Sequence, residues 1–181
     1  MSKSIKILME VIAGLIILGG LYATGFLDFL NPYEFRAYTS PKFGYTVSYP
    51  RNWTLDDSRS TAALDLIHNA NKNGVVFIQV FEHADYATPE GRSKAVSEMK
   101  NDFAGRAEYK LDSFTDEIRD GHHYFLAKGL YKDANGVWSF TQEGAFLGDR
   151  RAYNIVSRAL SGHADEVGAT LKAIVKSFKI Q

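Results

Sequence analysis

The chain has 181 residues, with 21 Lys and Arg balanced by 21 Asp and Glu, five His and no Cys. That length fits one domain plus a short appendage, and the charge balance excludes a bulk electrostatic grip on nucleic acid, which needs a basic face. The lack of Cys excludes disulfides, thiolate zinc sites, iron–sulfur clusters and Cys nucleophiles, and 23% charged with 13% aromatic residues excludes a disordered chain.

Val11 to Leu27 is a run of 17 residues without a charge, at the low end for crossing a bilayer. Ile7, Leu8 and Met9 lengthen it to about 20 residues, with Glu10 at head-group level. Lys3 and Lys6 precede the run and Asp28 follows it. The positive-inside rule then puts the N-terminus in the cytoplasm and the rest of the chain outside. Residues 1–30 are therefore read as a transmembrane signal anchor that meets the lipid bilayer through residues 7–30. The chain is expected to be a single-pass membrane protein whose C-terminal domain lies in a periplasm, a thylakoid lumen or at an outer face. The alternative is a signal peptide cleaved after Gly25, because Ala23-Thr24-Gly25 is a small-x-small match. Phe26, Leu27, Phe29 and Leu30 continue the apolar run past that cut, which favours the anchor. Residues 31–41 read as a juxtamembrane connection holding two of the four prolines, Pro32 and Pro41. Tyr22, Phe26 and Phe29, followed by Tyr33, Phe35 and Tyr38, form an aromatic exit from the membrane. Interfacial belting accounts for the first of these. The later ones are expected to contact a neighbouring membrane protein, the alternatives being lipid or the chain's own domain.

The body, residues 42–181, reads as strands and two helices. Lys42 to Tyr49 alternates apolar and small polar residues and stops at Pro50, a short strand. Trp53-Thr54-Leu55 resumes an extended segment, and Ala62 to His68 is a weaker strand. Val75 to Phe81 is the strongest strand and is apolar on both parities, so both its faces are expected to be covered. Thr88 as N-cap and Pro89 at the first position start a helix with an apolar stripe of Ala95, Val96, Met99 and Phe103, and Gly105 is placed to end it. Ala107 to Ile118 is extended, with a parity switch between Leu111 and Phe114 that calls for a bulge. Asp120-Gly121 is a hairpin signal. His123 to Tyr131, Val137 to Leu147 and Arg151 to Leu160 complete an antiparallel meander. Ala164 to Lys176 is a closing helix, burying Val167, Leu171, Ile174, Val175 and Phe178. Its acidic start at Asp165 and Glu166 and basic end at Lys172 and Lys176 suit the helix dipole. Strand runs with two separated helices argue for an α+β fold, one antiparallel meander with helices on both faces.

Phe43-Gly44-Tyr45-Thr46-Val47-Ser48-Tyr49-Pro50-Arg51-Asn52-Trp53 resembles the opening motif of PsbP-like domains, and Ile174-Val175-Lys176-Ser177-Phe178-Lys179 resembles their closing motif. The order of elements between the two also fits, so the resemblance covers about residues 36–181. The family is named after the extrinsic oxygen-evolving protein of photosystem II and includes a eukaryotic Ran-binding factor and many bacterial exported proteins. The resemblance implies an α/β/α sandwich and a non-enzymatic accessory or binding role, in several members beside membrane-bound photosynthetic assemblies. The anchor is a departure from the plant members, which are soluble lumenal proteins. The matched residues read as structural: Pro50 ends a strand and Trp53 fills the core.

His122 and His123, near Asp116, Glu117 and Asp120, are the best metal candidates, because imidazole and carboxylate suit zinc, copper or manganese. Adjacent strand residues point to opposite faces, however, so the two rings do not easily share one ion. Ser97-Glu98-Met99-Lys100 matches S-x-x-K without the motifs that accompany it in enzymes. Ser161, His163 and Asp165 gather triad residue types where a helix starts, and capping explains Ser161 and Asp165. There is no G-x-S-x-G, H-E-x-x-H or G-x-G-x-x-G, and Asn52-Trp53-Thr54 matches a glycosylation acceptor inside the structural motif. No enzymatic activity, cofactor or nucleic-acid partner is expected. Arg150, Arg151 and Arg158, with Lys172, Lys176 and Lys179, make the C-terminal part locally basic. A docking face for an acidic partner or for lipid head-groups would use Arg150, Arg151 and Arg158. The sequence thus points to a non-catalytic, membrane-anchored accessory or assembly subunit of a larger membrane complex, photosynthetic or respiratory. Its partners would be integral membrane subunits. A stand-alone envelope module for a small ligand or metal, and a hydrolase, are the alternatives.

Overall fold

The structure is a computed structural model that describes residues 34–56, 64–119, 121–147 and 150–181. The expected anchor, its cleavage site, and Tyr22, Phe26, Phe29 and Tyr33 lie outside the described residues, as does Asp120. Among the described residues no helix is long and apolar enough to cross a membrane.

Among the described residues, ten strands and two α-helices follow in order: β1 (Phe35–Ser40), β2 (Tyr45–Pro50), β3 (Thr54–Asp56), β4 (Leu64–His68), β5 (Gly74–Glu82), a 3-10 turn (Ala84–Ala87), α1 (Pro89–Gly105), β6 (Tyr109–Arg119), β7 (His122–Asp133), β8 (Gly136–Phe146), β9 (Arg151–Leu160), α2 (Ala164–Ser177) and β10 (Lys179–Ile180). The α+β class and the late meander are as expected. The strands nevertheless form two antiparallel sheets rather than one. Seven run in the order β3-β4-β5-β9-β8-β7-β6, and three in the order β1-β2-β10. The stretch read as a juxtamembrane connection contains β1, whose six residues pair in full with β2. The bulge appears where the parity switched, as a register shift between Leu111 and Ser113.

Local chemistry sets these boundaries. The Thr88 hydroxyl caps α1 by accepting from the Gly91 amide at 3.1 Å, and Pro89 supplies the preset φ of a first helical residue. Arg92, buried on α1, donates to the carbonyls of Tyr86 and Ala87 and to that of Gly121 at the β6–β7 turn. It therefore ties the helix start to the hairpin. The cap of α2 differs from expectation. The N-cap position is His163 with no side-chain cap bond, so Ser161 does not cap the helix.

The two helices lie on opposite faces of the large sheet and are offset across it. Val96 of α1 packs with Phe125, Phe146 and Ala152, and Phe103 packs with Ala127 and Phe140. That is the β7–β8 half of one face. Val167, Leu171 and Ile174 of α2 pack with Ile67, Val76, Ile78, Tyr153 and Ile155, the β4–β5–β9 part of the other. Tyr45, Val47 and Tyr49 of β2 join the same cluster, so the small sheet and α2 share that face. Alternation allows this, because β9 sends Tyr153, Ile155 and Ala159 to α2 and Ala152 to α1. The offset also leaves β5 only partly covered on its second face: Phe81 is 44% exposed, although its strand is apolar on both parities. At Gly144, as at Gly91 and Gly129, the packing leaves no room for a side chain. A Cβ on Gly144 would come within 2.0 Å of the Phe125 ring and 2.6 Å of Asn154 Oδ1.

One polar contact sits inside the larger core. The Tyr45 hydroxyl, on a side chain only 1% exposed, donates to the carboxylate of Asp65, itself 3% exposed. It joins the small sheet to β4 of the large one. Burial, and then the adjoining carboxylate, hold the Tyr45 phenol far above its ordinary range. In the unfolded chain this hydroxyl ionises near pH 10. Its contribution to stability is therefore complete below about pH 10 and is lost as pH rises, at about 1.4 kcal/mol per pH unit. Tyr45→Phe should cost about 2–3 kcal/mol at neutral pH by leaving a buried carboxylate without its donor, and should remove this residue's share of the alkaline slope. Urea unfolding at pH 7 and at pH 11 measures both. Gly144→Ala should cost about 1–3 kcal/mol through overpacking against Phe125, read as a lower midpoint in the same titration.

Candidate functional site

Because α2 covers only the β4–β5–β9 part of its face, the neighbouring surface of β7 and β8 lies open beside the helix. The result is a groove of about 420 Å³ between α2 and strands β7 to β9. Its sheet wall is built from alternate residues: Lys128 on β7, Ser139, Thr141 and Glu143 on β8, and Ser157 and Ala159 on β9. Registers confirm one face, with Lys128 opposite Thr141, and Thr141 opposite Ser157. Its helix wall is Ala164, Gly168, Lys172, Val175 and Lys176, with Leu171 at the base. Positions spaced by three and four residues share one side of a helix, which is why this stripe runs beside the core stripe of Val167, Leu171 and Ile174.

The electrostatics are one-sided. Three lysines, Lys128, Lys172 and Lys176, face a single carboxylate, Glu143. None of the four takes part in an ion pair of 4.0 Å or less among the described residues. Below the charges the surface is apolar, through Leu171, Val175 and Ala159. Ser139 donates weakly to the Ala159 carbonyl at 3.4 Å. Ser157 is 9% exposed, lines the groove, and its hydroxyl has no hydrogen-bond partner among the described residues. No His lines the groove, so its hydroxyls have no imidazole base within it.

The residues singled out from sequence are dispersed. His122 and His123 point to opposite faces as expected. His123 is 5% exposed, and its Nε2 lies 3.3 Å from Asp116 Oδ2. Among the described residues no three metal-ligating side chains converge. Ser97 donates back to the Ser93 carbonyl, and His163 Nδ1 meets Glu166, 2.9 Å away, not Ser161. Phe35 is exposed on β1, at 38%. Tyr38 is half-buried, its ring centroid 6.3 Å from that of Tyr45, so it packs on its own domain.

Arg150, Arg151 and Arg158 do not form one patch. Arg151 and Arg158 stand at opposite ends of β9, about 23 Å apart at strand rise. Arg150 is exposed at the turn, with φ of 72°. Arg158 is enclosed by aromatic rings, its guanidinium 4.1 Å from the Tyr131 centroid and 5.2 Å from that of Phe77, and it donates to the Tyr109 hydroxyl at 3.2 Å. Lys172 and Lys176, noted in the sequence only as part of the basic C-terminal stretch, do meet in the groove. Lys128 was missed. Its signal was the alternation of β7, where it faces away from Ala127 and Gly129.

No protein-family model matches this chain, and no curated protein is significantly similar to it. Solved structures are similar in fold. Cyanobacterial PsbP (CyanoP) from Synechocystis sp. superposes with a TM-score of 0.58 at 13% identity, covering 81% of this chain and 92% of that one. The chain carries the PsbP fold. LpqN of Mycobacterium tuberculosis, described as involved in cell envelope biogenesis, superposes at 0.53 with 12% identity over 85% of this chain and 95% of its own. A Pseudomonas aeruginosa protein of unknown function gives 0.52 at 10% identity over 82% and 98%. At these identities the likeness establishes the architecture of the PsbP-like domain.

The aromatic enclosure makes Arg158 a packing residue. Arg158→Ala should lower stability by about 1–2 kcal/mol, through two lost cation–π contacts and a hydrogen bond, while Arg150→Ala should change it by less than about 0.5 kcal/mol. Equal effects in thermal unfolding would remove the distinction between the two.

Proposed function

We propose that this chain is a membrane-tethered accessory protein with no catalytic step of its own, whose PsbP-like domain binds through the groove beside α2. The observation that carries this reading is the groove itself, a concave surface whose lysines make no ion pair among the described residues and whose hydroxyls have no imidazole base within it. Residues 1–30 supply the tether, and the aromatic residues from Tyr22 to Phe35 supply contact with integral membrane subunits. The domain stands on the extracytoplasmic side. A tether raises the effective concentration of a domain beside its partner, so a weak docking surface suffices. The fold shared with cyanobacterial PsbP and with LpqN supports an accessory or binding role, in a photosynthetic, respiratory or envelope assembly. The groove also favours a second reading, a stand-alone envelope module that holds a small ligand and needs no partner complex.

The two readings separate in one experiment. Native membranes carrying the C-terminally tagged full-length chain are solubilised in mild detergent, sized on a native gel, and the co-purifying chains identified. The accessory reading expects a large stoichiometric assembly that is lost when residues 1–30 are exchanged for an unrelated anchor. A lone species of monomer size would instead leave the stand-alone module.

A further inference from the structure

The groove has two features that packing does not explain. The first is Gly168, in the interior of α2. Glycine there weakens a helix relative to alanine, and proteins keep it where a side chain would collide. Here a Cβ on Gly168 would meet nothing within 4 Å. The glycine therefore answers no steric demand of the fold, and its effect is to keep the helix wall of the groove open. The second is Ser157, nine-tenths buried and presented to the groove with no hydrogen-bond partner among the described residues. Its hydroxyl oxygen is not among the buried unpartnered atoms, so it meets water in the groove, and a bound molecule can take that water's place.

Resting on the binding role proposed above, we infer that the groove is a site for a small anionic amphiphile, a molecule with a carboxylate or phosphate head and a short hydrocarbon body. Lys128 approaches the head from the sheet, and Lys172 and Lys176 from the helix. No acidic side chain among the described residues lies within ion-pair distance of them, so their charge is available to a ligand. The hydroxyls of Ser157 and Thr141 lie on the same wall as hydrogen-bonding groups. The hydrocarbon lies on Leu171, Val175 and Ala159, in the space left by Gly168. Glu143 sits on the same wall and disfavours a second negative charge there, so the site prefers one anionic head to an extended acidic chain. A groove of about 420 Å³ is at the size of a small-molecule site.

The test is lysine footprinting of the full-length chain in lipid nanodiscs, with acylation rates read by mass spectrometry. The probes are hexyl phosphate, hexanoate, hexanol and inorganic phosphate at equal concentration. The expected result is a several-fold slowing of acylation at Lys128, Lys172 and Lys176 by hexyl phosphate or hexanoate, with Lys94 and Lys100 on α1 unchanged as internal controls. The head that protects more strongly identifies the preferred anion. Gly168→Leu fills the space at the helix wall on a helix it does not weaken, and should abolish the protection while the thermal midpoint stays level or rises. Protection by inorganic phosphate alone as strong as that by hexyl phosphate would overturn the amphiphile. Protection by hexanol would overturn the anionic head, and no protection by any probe would overturn the site. Because the readout is local to three lysines, failure here leaves the co-purification result untouched, and the reverse also holds.

Discussion

A seven-stranded sheet is wider than a helix, and the arrangement of this domain follows from that mismatch. Seven strands span about 29 Å at the usual interstrand spacing, whereas a helix with its side chains is about 10–12 Å across. One helix per face covers two or three strands and leaves the rest exposed. The domain places its two helices on opposite faces and on different halves, so each half of the sheet is sealed on at least one side. The small sheet then adds cover beside α2, with Tyr45, Val47 and Tyr49 completing the core that the helix begins. What remains uncovered on the α2 side, over β7 and β8, is the groove.

The same offset decides where polar groups can be buried. Where two covering elements meet, as the small sheet and α2 do, each strand must alternate between core and edge. Tyr45 reaches over that junction to Asp65, and the Ser177 hydroxyl at the end of α2 both accepts from the amide of Ser48 on β2 at 2.7 Å and lies 3.1 Å from its carbonyl. These contacts hold α2 against the small sheet, away from β8. The uncovered side of β5 and β9 is managed differently. Phe77 belongs to none of the helix-packed clusters, and the Arg158 guanidinium lies over its ring and over that of Tyr131. Here the guanidinium itself is the cover: its Nε is buried without a hydrogen-bond partner among the described residues, and its charge rests on the ring faces and the Tyr109 hydroxyl.

Much of this architecture was legible from local patterns. The span of β9, the bulge near Leu111, the Thr88 cap and the buried stripe of α2 all rest on periodicity or capping within a dozen residues. Three features were not legible, each because its cause is distant in sequence. Phe35 to Ser40 has no clean alternation and becomes a strand only because β2 pairs with it. Lys179 and Ile180 pair with Thr46 and Tyr45, at the far end of the chain, so the second sheet has no local signature. Val75 to Phe81 looks buried on both faces from its composition, yet whether Phe81 is covered depends on where α1 lies, which no property of β5 encodes. The groove belongs with these, because Lys128, Ser157 and Lys172 come from three elements that only the fold brings together.

Charge shows the same contrast between chain and fold. The sequence is neutral, and its basic residues look like a C-terminal concentration centred on Arg150, Arg151 and Arg158. Folding takes this concentration apart. β9 separates Arg151 from Arg158 by its own length, and aromatic rings enclose Arg158 for packing. α2 meanwhile brings Lys172 and Lys176 to a third lysine, Lys128, well separated from them in sequence. A neutral protein thereby gains a local positive site without a basic surface. Such a site acts over about the 8–10 Å of a Debye length at physiological salt, so it selects ligands already at the groove and does not attract polyanions from a distance. That selectivity suits a domain whose tether, on the reading proposed here, already keeps it beside what it binds.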